Sequence, residues 1–283
     1  MQMTPNLKKK IDRAIRLIRS VPPYEDEPLE VAYSGGKDSD VILELTRMSG
    51  VPYRAIYKST TIDPPGTIAH AMRAGADILR PKRSFFQLIE ANGCPSRFSR
   101  FCCKELKEYP VLRNVVIGVR LEESVARARR YREPVVCRVF NKRKDIREQQ
   151  ILPILDWTME DEREFIQEQG ITLHPHYYRE DGTPDLTRRV GCMCCPLMSQ
   201  RKRIEDFKAH PGVLRLYIRA MNKYLTTHPS VKTATHFQGS AWQWMWHALH
   251  ADMRLDDFKA ARDGIVRLTE EDYREWFKNN FNI

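Results

Sequence analysis

A short apolar segment that runs directly into a glycine turn constrains the fold of this chain more than any other feature. The segment reads V-A-Y-S-G-G-K-D-S and ends at Ser39. Gly35 and Gly36 can adopt backbone angles that are closed to other residues, so their N–H groups can converge on an anion. Ser34 adds a second hydroxyl donor beside Ser39, and Lys37 adds a positive charge. The pattern therefore predicts a strand, an anion-binding turn and a helix, in that order.

The residues after the turn have helical periodicity, because Val41, Ile42, Leu45 and Met48 fall on one face of a helix over 38–48. The turn would then lie at a helix N-terminus, where the helix dipole favours phosphate. It is not the Walker loop, which needs four residues between its first glycine and the Gly-Lys pair. An ordinary Gly-Gly turn with a surface lysine is the alternative to a nucleotide-binding loop.

The overall charge of the chain favours anionic partners. Lys and Arg (47) outnumber Asp and Glu (37), which gives a formal net charge of +10. tRNA or DNA would suit such a chain, although nucleotide substrates or general solubility also account for the charge. No apolar run approaches the ~20 residues of a membrane span, and residues 1–10 lack the apolar core of a secretory signal. We therefore expect a cytoplasmic protein with no membrane partner.

Apolar segments of strand and helix type alternate along the first two thirds of the chain. This alternation predicts an α/β fold, a mostly parallel twisted sheet flanked by helices, with ligands at the carboxyl ends of the strands. A helical, basic and aromatic region follows, so we expect domains over 1–198 and 199–283. The predicted strands cover 29–33, 53–57, 77–79, 115–119 and 135–140, with a further short strand from 151. The predicted helices cover 7–18, 38–48, 67–73 and 85–91, with others around Leu106 and after Thr158.

Five segments, in this order, resemble the phosphoadenylyl-sulfate and adenylyl-sulfate reductase family of the PP-loop ATP pyrophosphatases, together with its relatives that modify tRNA or DNA with sulfur. They are S-G-G-K-D-S (34–39), R-F-C-C-K-E-L-K (100–107), G-V-R-L-E-E-S (118–124), P-I-L-D-W-T (153–158) and G-C-M-C-C-P (191–196). The resemblance covers roughly residues 29–197. It implies an adenine nucleotide α-hydrolase-like fold and cleavage of ATP between its α and β phosphates.

The resemblance also implies a nucleotide site and its residues. Arg120 would stand at the end of a strand, where a guanidinium can fork onto phosphate or sulfate, and the alternative is a surface ion pair with Glu122 or Glu123. Lys104 and Lys107 would reach the same anion or serve as solvated charge. Mg²⁺ would bridge the phosphates of ATP. The residues expected to bind the nucleotide are Ser34, Gly35, Gly36, Lys37, Asp38, Ser39, Thr60, Asp63 and Gly118, and those expected to act in catalysis are Lys37, Asp38 and Arg120, with Asp38 holding either the metal or the loop.

The cysteines form two groups, which are unlike the framework of a disulfide-stabilised domain. An adjacent pair followed much later by Cys-x-x-Cys resembles the [4Fe-4S] site of adenylyl-sulfate reductases. Zn²⁺ would accept the same four sulfurs, and buried free thiols are the third reading. Adjacent cysteines suit the separated corners of a cubane better than one tetrahedral ion. The implied ligands are Cys102, Cys103, Cys192 and Cys195, with Cys194 extra to the pattern.

One difference between this sequence and the reductases favours an adenylation reaction over a reduction. Those enzymes carry a nucleophilic cysteine near the C-terminus in a Glu-Cys-Gly-hydrophobic-His context, whereas no cysteine follows Cys195 in this sequence. We therefore expect an enzyme that adenylates an acceptor for sulfur transfer to a nucleic acid, supplied by a sulfur donor such as a cysteine desulfurase. A reductase that takes its thiol from a partner protein and a non-catalytic nucleotide-binding subunit are the alternatives. We expect the nucleic acid to bind a basic helical face. The alternative is a solvated helix face with ion pairs to Glu205 and Asp206. The basic residues of this face are Arg201, Lys202, Arg203, Arg215 and Arg219.

Overall fold

The computed structural model describes residues 3–139, 147–250 and 268–283. The chain forms two compact units. The first comprises Met1–Ser59, Asp63–Pro81 and Lys107–Gly191, and the second comprises Thr60–Ile62, Lys82–Leu106 and Cys192–Ile283. The domain boundary expected after residue 198 stays a prediction. No helix in the described part of the chain is both long and apolar enough to span a membrane.

The secondary structure alternates as the sequence predicts. The strands are β1 (Leu29–Tyr33), β2 (Tyr53–Lys58), β3 (Asp77–Leu79), β4 (Asn114–Val116), β5 (Val135–Val139) and β6 (Arg147–Ile151). The α-helices are α1 (Pro5–Ser20), α2 (Lys37–Ser49), α3 (Thr67–Arg73), α4 (Phe85–Asn92), α5 (Phe101–Leu106), α6 (Val125–Arg130), α7 (Met159–Glu168), α8 (Gln200–Ala209), α9 (Pro211–Thr227), α10 (Lys232–His236), α11 (Ala241–Leu249) and α12 (Glu270–Phe281). Short 3₁₀ helices cover Leu121–Glu123 and Pro175–Tyr177.

The first unit is built on one sheet of six strands in the order β3-β2-β1-β4-β6-β5. Every neighbouring pair is parallel except β5 and β6, which are antiparallel. This confirms the predicted α/β fold with a mostly parallel sheet. Because β1 lies inside the sheet with helices against it, its apolar residues Leu29, Val31 and Tyr33 are all buried. The chain leaves β1 directly into the glycine turn.

Helix α1 packs on helix α2, and α2 packs on β1. Thr4 caps α1 by accepting a hydrogen bond from the Leu7 N–H at 3.3 Å, and Leu7, Ile11 and Ile18 form its buried stripe. Helix α2 begins immediately after Gly36, which is its N-cap. The glycine turn is therefore fixed between a central strand and a buried helix.

Two strand predictions were wrong in their bounds. The strand expected over 115–119 ends at Val116, because the Val119 N–H turns back to the Ile117 carbonyl at 3.1 Å. The strand expected from residue 151 lies upstream, over Arg147–Ile151. The polar sequence of this strand does not indicate burial. Glu148 and Gln150 are nevertheless buried, because Gln150 donates a 2.6 Å hydrogen bond to Glu148. Residue 140, the expected end of the fifth strand, lies outside the described residues.

The second unit contains the predicted helical C-terminal region. Helices α4 and α11 pack against α9, and aromatic side chains fill the core. Tyr217 of α9 makes edge contacts with Phe85 at 5.3 Å and Phe207 at 5.3 Å between ring centroids. Such contacts add to the stabilisation from burial of the rings.

Candidate functional site

The glycine turn lies at the carboxyl end of β1, as the sequence predicts. Gly35 has a φ of +74°, a backbone angle that glycine adopts without steric cost. The Ser39 N–H donates to the Gly36 carbonyl at 2.8 Å, and the Ser34 hydroxyl lies 3.3 Å from that of Ser39. The Lys37 N–H donates to the hydroxyl of Tyr177 at 3.0 Å. The turn is therefore held from both its own helix and the 3₁₀ segment that carries Tyr177.

A cavity of about 520 Å³ opens over this turn within the first unit. That volume is within the range of small-molecule sites. Its lining contains seven of the residues expected to bind or act on the nucleotide, together with a marked excess of basic over acidic side chains. The expected residues are Ser34, Gly36, Lys37, Asp38, Ser39, Gly118 and Arg120; the basic side chains are Lys37, Arg120, Arg127, Arg188 and Arg189, and the acidic ones Asp38 and Glu123.

A smaller cavity of about 150 Å³ lies on the other side of Ser34, at the ends of β1 and β2. Asp63 and Lys107 line it, and the Asp63 carboxylate accepts a hydrogen bond from Ser59 at 2.9 Å. Thr60 belongs to the second unit, where its hydroxyl lies 3.5 Å from the Cys192 sulfur. The expected roles of Asp63 and Thr60 at the nucleotide stay predictions. Lys104 is exposed on α5.

Two cations of the site, Lys37 and Arg120, are paired with the same two carboxylates. The Lys37 Nζ lies 2.7 Å from Glu162 Oε2 and 3.0 Å from Asp38 Oδ2. The Arg120 Nε lies 2.9 Å from Asp38 Oδ1 and 3.2 Å from Glu162 Oε2, and its Nη1 lies 2.8 Å from Glu122. We call Lys37, Asp38, Arg120 and Glu162 the charge cluster.

Burial excludes the surface ion pair as a reading of Arg120, and its expected role at the phosphates stays a prediction. Arg120 is only 2% exposed, so its ion pair with Glu122 is not a surface pair. Lys37 is 4% exposed and faces Glu162 as well as the cavity, although the sequence analysis placed it as a ligand-facing loop residue. Loss of either cation would leave the buried carboxylate of Glu162 with one counterion instead of two, which destabilises the folded protein.

The pKa values of the two carboxylates in the charge cluster are shifted in opposite directions. Burial, and then the charge of Asp38, raise the pKa of Glu162. Burial alone would also raise the pKa of Asp38, but the charge of Lys37 and hydrogen bonds from Glu162 and Arg120 lower it. Within the described residues, Glu162 Oε1 is buried and has no hydrogen-bond partner. Asp38 is therefore the stronger acid of the two, and Glu162 binds a proton more readily than an exposed glutamate does.

Glu162 is the functional candidate that the sequence analysis missed. It lies in the first turn of α7, among several acidic residues that read as a solvated helix start. Burial of α7 against α2 brings it to Lys37 across 125 residues of chain. The sequence did contain a signal for its burial. Phe165 and Ile166 follow Glu162 by three and four residues and so lie on the same face of α7, and both are buried.

Gly118 has a steric role beside Asp38. A Cβ at this position would lie 2.9 Å from the Asp38 carbonyl oxygen and 3.0 Å from its Cβ. Side chains do not approach a backbone so closely, so the strand end that carries Arg120 can pack against the turn only with glycine here. Its expected role at the nucleotide stays a prediction.

A second polar network lies behind the turn and was also missed. The Tyr33 hydroxyl donates to Asp40 at 2.5 Å, and the His70 Nε2 lies 3.1 Å from the same carboxylate. His174 accepts the His176 N–H on Nδ1 at 3.0 Å, so its Nε2 carries the proton and donates to Thr67 at 3.1 Å. These contacts join β1, α2, α3 and the 3₁₀ segment around the turn.

The second unit brings the two cysteine groups together. The pKa of Cys102 is raised by the hydrogen bond that its thiol donates to Cys103, by burial and by the nearby thiols of Cys103 and Cys195. Cys94, which stands outside both groups in sequence, joins Cys194 and Cys195 around Tyr217. Cys137 is exposed on β5 in the first unit.

Cys194 occupies a strained backbone position. Its φ is +53°, its side chain is fully buried, and its N–H donates to Asp206 at 3.1 Å. Burial, and then Asp206, raise the pKa of its thiol to about 12. These contacts keep Cys194 protonated and make it part of the core of the second unit.

The four-cysteine metal site stays a prediction. Within the described ranges, no group of three or more His, Cys, Asp or Glu side chains is arranged to hold a metal ion. One neighbour nevertheless suits an anionic cluster. Arg203 is 5% exposed and has two buried nitrogens, Nε and Nη2, without a hydrogen-bond partner in the described structure. Its charge acts on the thiols of Cys94 and Cys194, and Cys194 adjoins the implied ligand Cys195, so an anionic cluster beside it would compensate a buried cation.

Arg203 departs from the basic helical face expected after residue 199, and binding of a nucleic acid to that face stays a prediction. Arg203 is buried and donates to the Ala248 carbonyl at 3.0 Å. Arg201 pairs with Glu205 at 3.0 Å, and Arg215 donates to the Asn282 carbonyl at 3.1 Å. Asp206, an expected partner of the solvated face, accepts the Cys194 N–H. Lys202 is exposed and Arg219 is exposed on α9.

Comparison with known proteins identifies the family. The family model described as the phosphoadenosine phosphosulfate reductase domain matches residues 28–198. An uncharacterised protein of Methanocaldococcus jannaschii is 24% identical over 231 residues, which are 76% of this chain and 46% of that protein. The chain therefore spans about half the length of that relative.

Two solved structures show more distant likeness. The U34-tRNA thiolase NcsA of Methanococcus maripaludis, solved with its [4Fe-4S] cluster, is 15% identical, with a TM-score of 0.41 over 80% of this chain and 82% of that chain. The FMN adenylyltransferase of Candida glabrata is 14% identical, with a TM-score of 0.41 over 61% of this chain and 60% of that chain.

Substitution of Gly118 tests the packing of the site. We expect Gly118→Ala to lower the free energy of unfolding by about 1–3 kcal/mol, because the added methyl group overlaps the Asp38 backbone. Gly212→Ala is the matched control, since nothing lies within 4 Å of a Cβ there. Urea denaturation of both variants measures the effect. Equal stability of the two variants would contradict the close contact.

The pH dependence of stability tests the network behind the turn. Burial, followed by the charges of His70, His176 and Arg73, lowers the pKa of His174 to about 4. The folded state then binds fewer protons than the unfolded state, so stability is lost as the pH falls from about 6.5 towards 4.

We expect His174→Asn to weaken this pH dependence, because asparagine can still accept the His176 N–H but does not titrate. The measurement is the free energy of unfolding at pH about 7 and about 5 for both proteins. An identical change with pH in the two proteins would show that His174 does not titrate in this way.

Proposed function

This chain belongs to the phosphoadenosine phosphosulfate reductase domain family, and from that premise we propose that it cleaves ATP between the α and β phosphates to activate an acceptor. The acceptor is an oxygen in a nucleic acid, and activation prepares it for sulfur transfer. The observation that carries this proposal is the charge cluster at the cavity over the glycine turn. The phosphates of ATP bind in the turn over 34–39.

The charge cluster suits the departure of pyrophosphate. The acceptor oxygen attacks the α phosphorus, the bond from that phosphorus to the bridging oxygen breaks, and the electron pair leaves with pyrophosphate. Lys37 and Arg120 then lie where negative charge grows, and fixed cations in a buried site stabilise such charge by several kcal/mol. Because Glu162 and Asp38 hold both cations in place, little reorganisation is needed when the phosphates bind.

Asp38 is the residue that would hold Mg²⁺ with the phosphates. It lines the cavity, and carboxylate oxygens are ligands that Mg²⁺ prefers. Bound there, Mg²⁺ would neutralise part of the phosphate charge. Glu162 would then remain as the buried counterion of Lys37.

Cys102, Cys103, Cys192 and Cys195 would hold a [4Fe-4S] cluster in the second unit. The chemistry of four thiols and the unpaired buried nitrogens of Arg203 support this assignment. A bound cluster would supply iron that binds sulfide. The sulfur itself would come from a partner protein such as a cysteine desulfurase.

A sulfonucleotide reductase that receives its thiol from a partner protein is the second candidate, favoured by the description of the matched family. Both reactions would use the same phosphate-binding turn. Release of pyrophosphate from ATP distinguishes them, because reduction of a sulfonucleotide produces none.

Substitution of Lys37 tests the proposed reaction. We expect Lys37→Ala to reduce ATP-dependent pyrophosphate release by about a hundredfold or more, because the growing charge loses a fixed cation. Lys8→Ala, on the exposed side of α1, is the matched control. Lys37→Arg, which keeps a counterion for Glu162, separates loss of activity from loss of stability. Wild-type turnover in Lys37→Ala would end the proposal.

The cysteines are tested by the absorption and iron content of anaerobically purified protein. We expect a broad band at about 400 nm in the wild type, and loss of iron when any of Cys102, Cys103, Cys192 or Cys195 is changed to serine. Cys137→Ser is the matched control, because that thiol is exposed on β5. A colourless, zinc-containing wild type would favour a zinc site, and metal-free protein would favour free thiols.

A further inference from the structure

The surface of the first unit beside the large cavity carries six arginines, which we call the arginine face: Arg127, Arg129, Arg130, Arg132, Arg188 and Arg189. Residues 124–133 read S-V-A-R-A-R-R-Y-R-E, with four arginines and one glutamate. Arg127, Arg188 and Arg189 line the cavity itself. Arg129, Arg130 and Arg132 are exposed on or just after α6, outside the cavity lining.

Few carboxylates balance this charge. Arg127 and Arg189 share the single carboxylate of Glu123, with Arg189 3.9 Å from it. Arg188 lies 3.6 Å from Asp185, a carboxylate that it shares with Arg179. In the described part of the chain, Arg129, Arg130 and Arg132 form no ion pair, and the Arg130 guanidinium lies over the Tyr131 ring at 5.2 Å. An ordinary solvated helix would intersperse acidic residues at i+4, as Arg201 and Glu205 do on α8.

The arginines are also crowded and partly fixed. Burial, and then the charges of Arg189 and Arg120, lower the pKa of Arg127. Arg188 donates to the carbonyls of His176 and Tyr178 at 3.2 and 3.0 Å, which holds it at the cavity. Like charges held together in this way repel one another, and a bound polyanion would relieve the repulsion.

We propose that the arginine face binds the phosphate backbone of a nucleic acid and so presents one nucleotide of that strand to the cavity. A guanidinium forks onto phosphate oxygens, and the face continues from the cavity lining onto exposed surface, farther than the phosphates of one ATP need. The inference rests on the proposed function. It places the nucleic acid on the first unit instead of on the helical region after residue 199.

The test compares two charge-matched double variants. Arg129→Gln with Arg130→Gln removes two charges from the arginine face, and Arg201→Gln with Lys202→Gln removes two from α8. The probes are unfractionated tRNA and a DNA duplex of equal length, and anisotropy at several salt concentrations gives the slope of log K against log salt.

We expect wild-type binding to weaken steeply with salt, and the arginine-face variant to lose about two units of that slope, one for each phosphate contact. The α8 variant should keep the wild-type slope. Tighter binding of either probe identifies the natural acceptor as RNA or DNA. A loss confined to the α8 variant, equal losses in both variants, or no wild-type binding to either probe would overturn the inference.

Pyrophosphate release by the wild type is measured under two conditions, with the tRNA or DNA probe present and with a small acceptor such as hydroxylamine in its place, and it separates this inference from the proposed function. Absent nucleic-acid binding together with pyrophosphate release would overturn the arginine face alone. Nucleic-acid binding with no pyrophosphate release under either condition would overturn the proposed reaction and leave the binding surface standing.

Discussion

The pairing of Lys37 and Arg120 with the buried carboxylate of Glu162 is the interaction on which the rest of the site depends. Glu162 is completely buried, and its Oε2 lies 2.7 Å from Lys37 and 3.2 Å from Arg120. One carboxylate on α7 thus joins the turn after β1 to the strand end after β4. A buried ion pair contributes little net stability, but it fixes which groups face each other.

That fixed arrangement explains the glycines and the residues behind the turn. Because Gly118 has no Cβ, the segment that carries Arg120 can pack closely against the Asp38 backbone. A Cβ on residue 118 would lie within 3.0 Å of that backbone. Asp40 and His70 hold the opposite side of the turn. In the proposed reaction, phosphates that enter the cavity would meet cations that are already oriented, which is the condition for electrostatic catalysis.

Local features were predictable from sequence and distant pairings were not. The turn over 34–39 and the parallel sheet follow from glycines and apolar periodicity, which are local signals. Glu162 was missed because its partner is 125 residues away, and β6 was missed because its buried polar residues satisfy each other. Arg203 read as a surface cation, yet packing with Phe207 and Tyr217 buries it.

The products formed from ATP test the central claim most directly. ATP labelled at either the α or the γ phosphate is incubated with the protein, nucleic acid and Mg²⁺, and the labelled products are separated. The account predicts α label in AMP or an AMP adduct and γ label in pyrophosphate, because the charge cluster stabilises pyrophosphate as the leaving group. Recovery of γ label as orthophosphate, with α label in ADP, would contradict it.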